Sequence, residues 1–407
     1  MRAIFLLRRS VALLATGITV LAEDWPQFLG PHRDGSTTNP VNPTVIGAGP
    51  AKLWGRKVGH GFSGPIIAQG RLILHSREEG EEVVESIELT NGKTQWRTAY
   101  PTHYVDDFGF DDGPRGSPAV SDSKVFTFGA EGRLTCLNQA DGKELWHVDT
   151  LSRFSSDKGF FGLASSPLVS GGLVMVNIGG AGAGVGAFKA LDGTLAWKLT
   201  DDEAGYASPV MAKLGSDDLA LFFTRAGLVS VHPADGKLGP RFPWRSRQHA
   251  SVNAASPLVK DHEVFLTASY GTGAVLLNLT QSDSKPNWTG DSSLSAHYAT
   301  PVLVGNYLYG FHGRTESKPA FRCVEWSTGK VAWSLDGFGA GTVARSGNHL
   351  VLLLESGELV ILEASEKAPK ELARSQVLGT GTRSPFAIGE GVLAARDPRQ
   401  LVVLKIQ

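Results

Sequence analysis

Short apolar stretches recur along this chain, and many are broken by a tight turn and closed by a tryptophan. The pattern is clearest in Cys136 to Trp146, which reads CLNQADGKELW. The same phrase returns, with Gly four residues before Trp in every copy, as SIELTNGKTQW (Ser86 to Trp96), AFKALDGTLAW (Ala187 to Trp197) and CVEWSTGKVAW (Cys323 to Trp333). Asn-Gly and Asp-Gly accept the positive φ angles of a two-residue hairpin. Each copy therefore predicts two antiparallel strands joined by such a hairpin.

The spacing of the tryptophans predicts a ring of similar units. Weaker copies of the phrase end at Trp244 and Trp288, and Leu53-Trp54 precedes them all. From Trp54 onward the tryptophans are about 42 to 51 residues apart, which is the period of propeller blades. A single four-stranded sheet cannot bury both of its faces, whereas repeats arranged in a ring build a continuous core with few free edges.

A second repeat gives the number of units. A small residue followed by Pro and an apolar run occurs at Gly64-Pro65, Ser117-Pro118, Ser166-Pro167, Ser208-Pro209, Ser256-Pro257, Thr300-Pro301 and Ser384-Pro385. Gly341-Thr342 fills the missing position, so we expect eight hairpins. Because Trp54 lies before the first hairpin, the segment around it is expected to supply the outer strand of the last unit. The predicted fold is an all-β, eight-bladed propeller of four-stranded antiparallel blades over residues 51–407, closed by its N-terminal strand.

The N-terminal residues have the pattern of an export signal. Arginines precede an apolar run from Val11 to Ala22, which ends in small residues suited to signal peptidase. We interpret residues 1–22 as a cleaved signal peptide because the run is short for a membrane span. An uncleaved anchor is the alternative. A cleaved signal predicts an exported protein, periplasmic or secreted, with no membrane insertion after cleavage.

Residues 23–50 form a segment rich in Pro and Gly, which we call the arm. It contains DWPQFLGPHRDG (Asp24 to Gly35), a composition that disfavours a long regular element. Trp25 and Phe28 are too apolar to remain in water, so we expect the arm to pack on the ring. The sequence leaves its route open, and direct docking of a ligand by Trp25 is the alternative.

Charge and cysteine content narrow the possible functions. The formal net charge is −1, with 19% charged residues, so no basic excess is available to bind nucleic acid. Two cysteines in an exported chain favour a disulfide. However, Cys136 and Cys323 occupy the same position of the tryptophan phrase four units apart, and a disulfide requires Cα atoms within about 7 Å. We therefore predict two buried free thiols.

Residues just before the small-Pro pairs are candidates for a binding site. An innermost propeller strand starts near the ring axis, so these residues should converge at one mouth of the channel. They are His60, Phe62, Arg115, Phe161, Tyr206, His249, Asn253, His297, Tyr298, Phe338 and Arg383. The alternative is that these side chains plug the channel and satisfy backbone groups of the loops.

Guanidinium and imidazole groups at such a mouth suit a carboxylate, a phosphate or sugar hydroxyls. The strongest candidates of this kind are Arg115, Arg245, Arg247, His249, His297 and Arg383. The predicted ligand-binding set is Arg115, Tyr206, Arg245, Arg247, His249, Asn253, His297, Tyr298 and Arg383. No catalytic or metal-binding residue is predicted.

Other motifs support no specific chemistry. Asp106, Asp107, Asp111 and Asp112 with His103 offer ligands for Ca, but they lack the spacing of a defined Ca loop, so a solvated loop is favoured. GGAGAGVG (Gly179 to Gly186) misses the spacing of a phosphate loop and is interpreted as a hairpin loop. The chain contains no HExxH, Walker or GxSxG motif.

The tryptophan phrase resembles the docking motif of the pyrroloquinoline quinone (PQQ) repeat propellers. DWPQFLGPHRDG is similar to the mature N terminus of exported bacterial PQQ-like propellers. Further phrases that resemble this group are FGFDDGPR (Phe108 to Arg115), WRSRQHASVNAASP (Trp244 to Pro257), SYGTGA (Ser269 to Ala274), HYATPV (His297 to Val302) and GFGAGT (Gly337 to Thr342). The resemblance covers essentially the whole mature chain.

The resemblance to this family implies one of two functional classes. Quinoprotein dehydrogenases carry PQQ and Ca and oxidise alcohols or sugars, and many have a vicinal Cys pair, whereas BamB-type scaffolds use the ring as a binding platform. This chain has no adjacent cysteines, no CxxCH and little length for the insertions that build a quinone pocket. We therefore expect a non-catalytic, monomeric binding or scaffold module without a cofactor, with a protein or polysaccharide ligand. The alternatives are a PQQ-dependent dehydrogenase with Ca, and a polysaccharide hydrolase or lyase with a carboxylate pair in the channel.

Overall fold

The predicted hairpins form eight β-sheets arranged as the blades of a propeller. The structure is a computed structural model that describes residues 23–249, 251–280 and 285–407. Three short elements precede the first hairpin: β1 (Ser36–Thr37), α1 (Pro43–Gly47) and β2 (Lys52–Lys57). The predicted signal peptide, residues 1–22, lies outside the described residues.

The first four blades follow one another in sequence order. Blade 1 consists of β3 (Ile66–Ala68), β4 (Arg71–Glu78), β5 (Glu81–Glu88) and β6 (Thr94–Pro101). Blade 2 consists of β7 (Ala119–Ser121), β8 (Lys124–Phe128), β9 (Arg133–Asn138) and β10 (Glu144–Asp149), followed by α2 (Thr150–Phe154). Blade 3 consists of β11 (Leu168–Ser170), β12 (Leu173–Gly180), β13 (Ala183–Lys189) and β14 (Leu195–Leu199). Blade 4 consists of β15 (Val210–Leu214), β16 (Asp217–Thr224), β17 (Gly227–His232) and β18 (Lys237–Pro243).

The remaining blades continue the order. Blade 5 consists of β19 (Leu258–Lys260), β20 (Glu263–Ala268), β21 (Gly273–Asn278) and β22 (Pro286–Gly290). Blade 6 consists of β23 (Val302–Val304), β24 (Tyr307–His312), a 3-10 turn (Thr315–Ser317), β25 (Ala320–Glu325) and β26 (Val331–Leu335). Blade 7 consists of β27 (Gly341–Ser346), β28 (His349–Leu354), β29 (Glu358–Glu363) and β30 (Lys370–Gln376). Blade 8 contains β31 (Ala387–Gly389), β32 (Val392–Arg396) and β33 (Gln400–Lys405).

The chain closes the ring with its own termini, which confirms the prediction from Trp54. Blade 8 has the strand order β31-β32-β33-β2, so its outer strand comes from the N-terminal segment. β2 is antiparallel to β33, with Trp54 opposite Val403. Pairing of β2 with β33 joins the N-terminal segment to the C-terminal blade and so closes the ring. No helix in the described part of the chain is long and apolar enough to span a membrane.

Six docking tryptophans join their own blades to a turn of the next blade. The indole of Trp96 in blade 1 donates to the carbonyl oxygen of Gln139 in blade 2 at 2.8 Å, and its ring lies against Gly142. The same bond is formed by Trp54, Trp146, Trp197, Trp288 and Trp333, with acceptors in the following blade. Trp244 instead stacks on Phe223 of its own blade, with ring centroids 5.8 Å apart.

The prediction of two-residue hairpin turns is wrong. In blade 2 the amide of Asn138 donates to the carbonyl of Lys143, and the amide of Gly142 donates to the carbonyl of Asn138, so the loop contains residues 139–142. Only Gly142 has positive φ, +73°, whereas Asp141 accepts a hydrogen bond from the amide of Lys143 at 3.0 Å. Gly is also required sterically, because a Cβ there would lie 2.4 Å from the ring of Trp96.

In blades 1 to 6 the small residue before Pro takes part in a ladder of hydrogen bonds around the channel. In one step the amide of Ser166 in blade 3 donates to the hydroxyl of Ser208 in blade 4 at 2.8 Å. The other steps run from Gly64 to Ser117, from Ser117 to Ser166, from Ser208 to Ser256 and from Ser256 to Thr300. A hydroxyl at this position therefore satisfies a buried amide of the neighbouring blade.

Both cysteines are buried and free, as the repeat predicts. Cys136 lies opposite Trp146 across the β9–β10 pair, and Cys323 lies opposite Trp333 across the β25–β26 pair. Burial raises the pKa of the Cys136 thiol to about 12 and that of the Cys323 thiol to about 11. A small residue is suited to this position because the cross-strand neighbour is an indole.

The arm enters the ring and contacts its innermost strands. Trp25, only 2% exposed, exchanges two backbone hydrogen bonds with Ile67 of blade 1, at 2.8 and 2.9 Å. The next residue, Pro26, accepts a hydrogen bond from the amide of Val120 in blade 2 at 2.8 Å. The arm thus begins inside the ring, against blades 1 and 2.

The arm continues past the inner strands of the other blades. Arg33 donates to the carbonyl of Pro167 in blade 3 at 3.0 Å, and Gly35 lies against Val302 of blade 6. β1 then pairs in parallel with β27 of blade 7, and Asn39 donates to the inner strand of blade 8 at 3.3 Å. These contacts place arm residues 25–39 in the centre of the ring, whereas α1 packs against β30, the outer strand of blade 7.

Candidate binding site at the mouth of the ring

The loops between consecutive blades and the turns between the second and third strands of each blade lie at the same end of the ring. Each innermost strand begins at the loop from the preceding blade and runs to the opposite end. The turns between second and third strands return to the starting end, beside the interblade loops. We call this end the mouth and the opposite end the base. The candidate residues before the small-Pro pairs belong to loops at the mouth.

One buried carboxylate organises the mouth loop between blades 1 and 2. Asp106 accepts hydrogen bonds from the amides of Phe108 at 2.9 Å, Phe110 at 3.2 Å and Asp111 at 3.1 Å. It also forms an ion pair with Arg115 at 2.9 Å, and its side chain is fully buried. The Asp106 oxygens are therefore used to fold the loop.

The alternative of a Ca site in this acidic loop gains no support. Asp111 and Asp112 also bond to the loop itself, since Asp111 accepts from the amide of Gly113 at 2.7 Å and Asp112 from that of Asp106 at 2.8 Å. Asp107 forms an ion pair with Lys158 at 2.7 Å. Within residues 23–249, 251–280 and 285–407, no group of three or more His, Cys, Asp or Glu side chains is arranged to hold a metal ion.

The fold of this loop exposes apolar side chains. Val105 is 58% exposed, Phe108 50% and Phe110 51%. Two phenylalanines of the loop between blades 2 and 3 complete the cluster. The ring of Phe161 lies 5.0 Å from that of Phe108 and 6.0 Å from that of Phe110, and Phe160 lies 6.1 Å from Phe108. We call these five residues the mouth patch.

Three arginines lie against rings of the mouth patch, and each is already ion-paired. The ring contacts are Arg115 with Phe161 at 5.6 Å, Arg383 with Phe110 at 5.7 Å and Arg225 with Phe160 at 4.8 Å. The ion pairs are Arg115 with Asp106, Arg383 with Glu355 and Arg225 with Glu203. These guanidinium groups therefore support the patch through cation–π contacts and carry little free charge for an anion.

Tyr206 and His249 hold the second phenylalanine loop in place. The hydroxyl of Tyr206 accepts hydrogen bonds from the amides of Phe160 at 2.9 Å and Phe161 at 3.1 Å. Burial raises the pKa of Tyr206. The ring of His249 meets the ring of Phe160 edge-on at 5.5 Å. Tyr206 therefore positions the patch, and His249 extends its edge.

The remaining candidates of blades 4 and 5 differ in role. Asn253 is 3% exposed and donates to the carbonyl of Thr224 at 2.9 Å, so it holds loops together. Arg245 and Arg247 are exposed and lie on the same loop as His249. Neither has an ion-pair partner among the residues that the structure describes.

His297 and Tyr298 belong to a second polar cluster at the mouth. The His297 imidazole contacts the hydroxyl of Tyr270 at 3.0 Å, and burial lowers the pKa of His297 to about 4. Tyr298 donates to Glu355 at 2.8 Å, and Glu355 also binds Arg383. Through Glu355 this cluster is connected to the mouth patch.

The sequence candidates are thus only partly brought together. Arg115, Tyr206, His249 and Arg383 contact the mouth patch, and Tyr298 reaches it through Glu355. Phe62 lies under Arg115. His60 faces Asp111 instead. Phe338 packs on Phe321 of blade 6. Sequence reasoning missed Phe108, Phe110, Phe160, Arg225 and Glu355. The available signal was the pair of phenylalanines in FGFDD, placed among acidic residues that suggest an exposed loop.

The arm forms the floor of the mouth and limits the space for a cofactor. Between Trp25, Phe28 and Leu29 of the arm and the inner strands of blades 6 to 8 lies a cavity of about 50 Å³. Small-molecule pockets typically measure roughly 300–1,000 Å³. With Arg115 and Arg383 ion-paired, and no group of His, Cys, Asp or Glu side chains among the described residues arranged to hold a metal ion, this small cavity does not fit PQQ with Ca.

Solved structures with the same fold belong to both functional classes. BamB from Moraxella catarrhalis is 16% identical, with a TM-score of 0.63, and the similarity covers 88% of this chain and 98% of that one. Quinohemoprotein alcohol dehydrogenase from Comamonas testosteroni is 15% identical, with a TM-score of 0.69, covering 94% of this chain and 80% of that one. At such low identity these likenesses establish the fold alone.

Two sequence relatives belong to one of the two classes. The outer membrane protein assembly factor BamB of Moranella endobia is 26% identical over 282 residues, which is 66% of this chain and 69% of that protein. The protein of the same name from Xanthomonas campestris is 28% identical over 313 residues, covering 70% of this chain and 74% of that protein. Residues 80–335 match the family described as outer membrane protein assembly factor BamB. Since this match covers more than half of the chain, the chain belongs to this family of PQQ-like β-propellers.

Proposed function

We propose that this protein is an exported, non-catalytic scaffold that binds an apolar segment of a partner protein on the mouth patch. The observation that carries the proposal is the exposure of Val105, Phe108 and Phe110 on one loop. Exposed aromatic clusters of this kind, rimmed by polar groups, mark protein interaction sites. The names of the sequence relatives, assembly factors for outer membrane proteins, support a protein as the partner.

The rigidity of the mouth patch supports binding rather than accidental exposure. The loop conformation is maintained by the buried Asp106 carboxylate, and the opposing loop is held by the Tyr206 hydroxyl. Both loops are therefore positioned before a partner arrives, which reduces the conformational entropy lost on binding. Large aromatic side chains also provide most of the binding energy at typical hot spots.

The charges around the patch define the chemistry of the partner. Arg115, Arg225 and Arg383 are neutralised by carboxylates of this chain, so the centre of the site selects apolar side chains. The exposed Arg245 and Arg247 lie on the loop that leads to His249 at the edge of the patch. We expect the partner to present aliphatic or aromatic side chains followed by acidic residues that pair with these two arginines.

Site-specific photocrosslinking in the native host tests the proposal. A benzophenone amino acid replaces Phe110 in one strain and Leu191 in a control strain. Leu191 is 76% exposed but lies in the turn between β13 and β14, at the base. The expected result is one discrete protein adduct from position 110 and none from position 191. Equal adduct patterns at the two positions would contradict a specific site at the mouth.

Binding measurements with the partner then give the contribution of the mouth patch to the affinity. With the crosslinked partner purified, the double variant Phe108→Ser, Phe110→Ser should weaken binding by about 10- to 100-fold, the range of two moderate hot-spot residues. Arg245→Glu with Arg247→Glu should weaken binding and reverse its salt dependence. Unchanged affinity of the Phe double variant, with Leu191→Ser as the control, would exclude the patch as the binding surface.

A further inference from the structure

A second cavity lies at the base, on the other side of the arm. It has a volume of about 570 Å³ and is bounded by arm residues 32–34 and by the inner strands β15 and β19. Lys213, Asp261 and His262 surround it near the turns that follow these strands, so the cavity is at the end opposite the mouth patch. Its volume is within the roughly 300–1,000 Å³ range of small-molecule pockets.

The wall of this cavity contains a buried arginine without a counter-ion. Arg33 is 4% exposed, and within the described parts of the chain no carboxylate oxygen lies within ion-pair distance of its guanidinium. Its hydrogen bonds go to neutral acceptors: the side chain of Gln27 at 3.0 Å and the carbonyls of Pro167 at 3.0 Å and Ser166 at 3.2 Å.

The hydrogen-bonding capacity of Arg33 is not exhausted. A guanidinium group has five N–H donors, and the three bonds to Gln27, Pro167 and Ser166 leave two of them. One of the two is on Nε, which is buried and has no hydrogen-bond partner among the residues that the structure describes. Burial without a compensating anion lowers the pKa of Arg33 to about 9. A buried cation of this kind is costly for the fold unless an anion approaches it.

The two carboxylates in the cavity wall do not fill this role. Asp34 accepts hydrogen bonds from the amide and hydroxyl of Ser36, at 2.8 and 2.6 Å, and is therefore held by its own turn. Asp261 is exposed at the turn after β19. Lys213 is likewise exposed at the end of β15 and adds a positive charge to the rim.

Apolar side chains from two inner strands form part of the remaining wall, beside its polar groups. Val210, Met211, Leu258 and Val259 contribute to the lining from β15 and β19. A ligand that combines an apolar body with one anionic group would match both parts of the cavity.

From these features we infer that the base cavity binds a small organic carboxylate, with the carboxylate directed to Arg33 and Lys213 and the apolar body against β15 and β19. This site is separate from the mouth patch and does not depend on the proposed function. Planar carboxylates fit guanidinium donors well, because two N–H groups can bind both oxygens. Binding would compensate the buried charge that the arm brings into the ring.

The test is a calorimetric titration of the mature chain with hexanoate, and with hexanamide as a neutral analogue of the same shape. Hexanoate is expected to bind in the millimolar range or better, and hexanamide at least about tenfold more weakly, since an ionised acceptor roughly doubles the strength of the hydrogen bonds. Inorganic phosphate is titrated in parallel. Equal affinity for hexanoate and hexanamide, no binding of either, or binding of phosphate alone would overturn the inference.

Substitutions at Lys213 and Arg33 test whether hexanoate binds in the base cavity, and the Lys213 substitution does so without changing the arm. Lys213→Glu should weaken hexanoate binding by about fivefold, whereas Lys143→Glu, an equal charge change on an exposed turn of blade 2, should alter it by less than about twofold. Arg33→Gln should abolish binding, and its circular dichroism spectrum and melting profile report whether the ring remains folded. Equal effects of Lys213→Glu and Lys143→Glu would place the carboxylate elsewhere. Crosslinking from the mouth patch should be unaffected by all three variants.

Discussion

The indole of Trp146 in blade 2 donates a hydrogen bond to the carbonyl oxygen of Ala190 in blade 3 at 3.2 Å. The same ring lies against the turn glycine of blade 3, Gly193, where an added Cβ would be 2.7 Å from the indole. One side chain thus supplies both an apolar contact and a polar contact between blades. The same pairing of an indole with a turn glycine recurs for Trp54, Trp96, Trp197 and Trp288, so the stability of these interfaces depends on one indole and one glycine.

Replacement of Trp146 tests this interface. Trp146→Ala should lower the free energy of unfolding by about 3 kcal/mol, at the lower end of the range for Trp→Ala because the indole is only partly buried. Trp146→Phe keeps the apolar contact and loses the hydrogen bond, so it should cost about 1 kcal/mol. Guanidinium denaturation measures both, with the exposed Leu191→Ala as the control. A loss below about 1 kcal/mol for Trp146→Ala would mean that the indole is not part of the interblade core.

The hydroxyl ladder around the channel should also be measurable. Ser208→Ala removes the acceptor of the Ser166 amide and leaves that buried N–H unsatisfied, which should cost about 1–3 kcal/mol. Ser208→Thr retains the hydroxyl and should recover part of the loss. Ser216→Ala, on an exposed turn of the same blade, is the control and should change the free energy of unfolding by less than about 0.5 kcal/mol. Equal losses for Ser208→Ala and Ser216→Ala would contradict a role for the ladder.

His297 should make the stability of the fold sensitive to acid. Its pKa is lowered from 6.5 to about 4 by burial, with a further contribution from the charge of Arg314. The unfolded chain therefore binds one more proton than the folded chain between these pH values. The contribution of His297 to the free energy of unfolding is fully present above pH 6.5 and is lost as the pH falls from 6.5 toward 4. His297→Gln should reduce the slope of unfolding free energy against pH in this window by about one proton.

The control for this pH effect is His103→Gln, at an exposed position of the mouth loop. Denaturant melts at intervals between pH 4 and pH 7 provide the measurement for both variants and the parent. If His297→Gln retains the parent slope, the imidazole does not remain neutral in the folded state, and the assignment of the burial effect is wrong.

Titration with PQQ and Ca distinguishes the scaffold from a quinoprotein. The mouth cavity of about 50 Å³ and the paired arginines predict no saturable heat and no absorbance shift at micromolar PQQ. A quinohemoprotein alcohol dehydrogenase depleted of its quinone serves as the positive control. Saturable binding accompanied by dye reduction would replace the scaffold proposal with redox catalysis.

Much of the ring could be predicted from the sequence because its determinants are local and repeated. The position of Cys136 opposite Trp146, for example, follows from a phrase whose copies share one register. The turn type could not be predicted in the same way. Asp-Gly suits a two-residue hairpin, yet Asp141 adopts ordinary φ because its carboxylate bonds to the amide of Lys143 and the glycine must also accommodate an indole from another blade.

The candidate site was less predictable than the ring. Arg115 and Arg383 were recognised as residues near the mouth, but their partners determine what they can do. The structure shows that Asp106 is buried and pairs with Arg115, so the charge of Arg115 is neutralised. It also shows that Phe108 is exposed. Local sequence around FGFDD contains the aromatic and acidic residues without indicating which of them are buried.

The sequence by itself determined the number of blades, the tryptophan interfaces, the closure through the segment near Trp54 and the separation of the two thiols, because each of these depends on short motifs and their spacing. Only the tertiary structure decided that arm residues 25–39 occupy the centre of the ring and that the mouth carries an apolar patch. Those features depend on contacts such as that between Arg33 and Pro167, 134 residues apart. Contacts over such distances leave no local pattern, since they arise only when the closed ring brings the segments together.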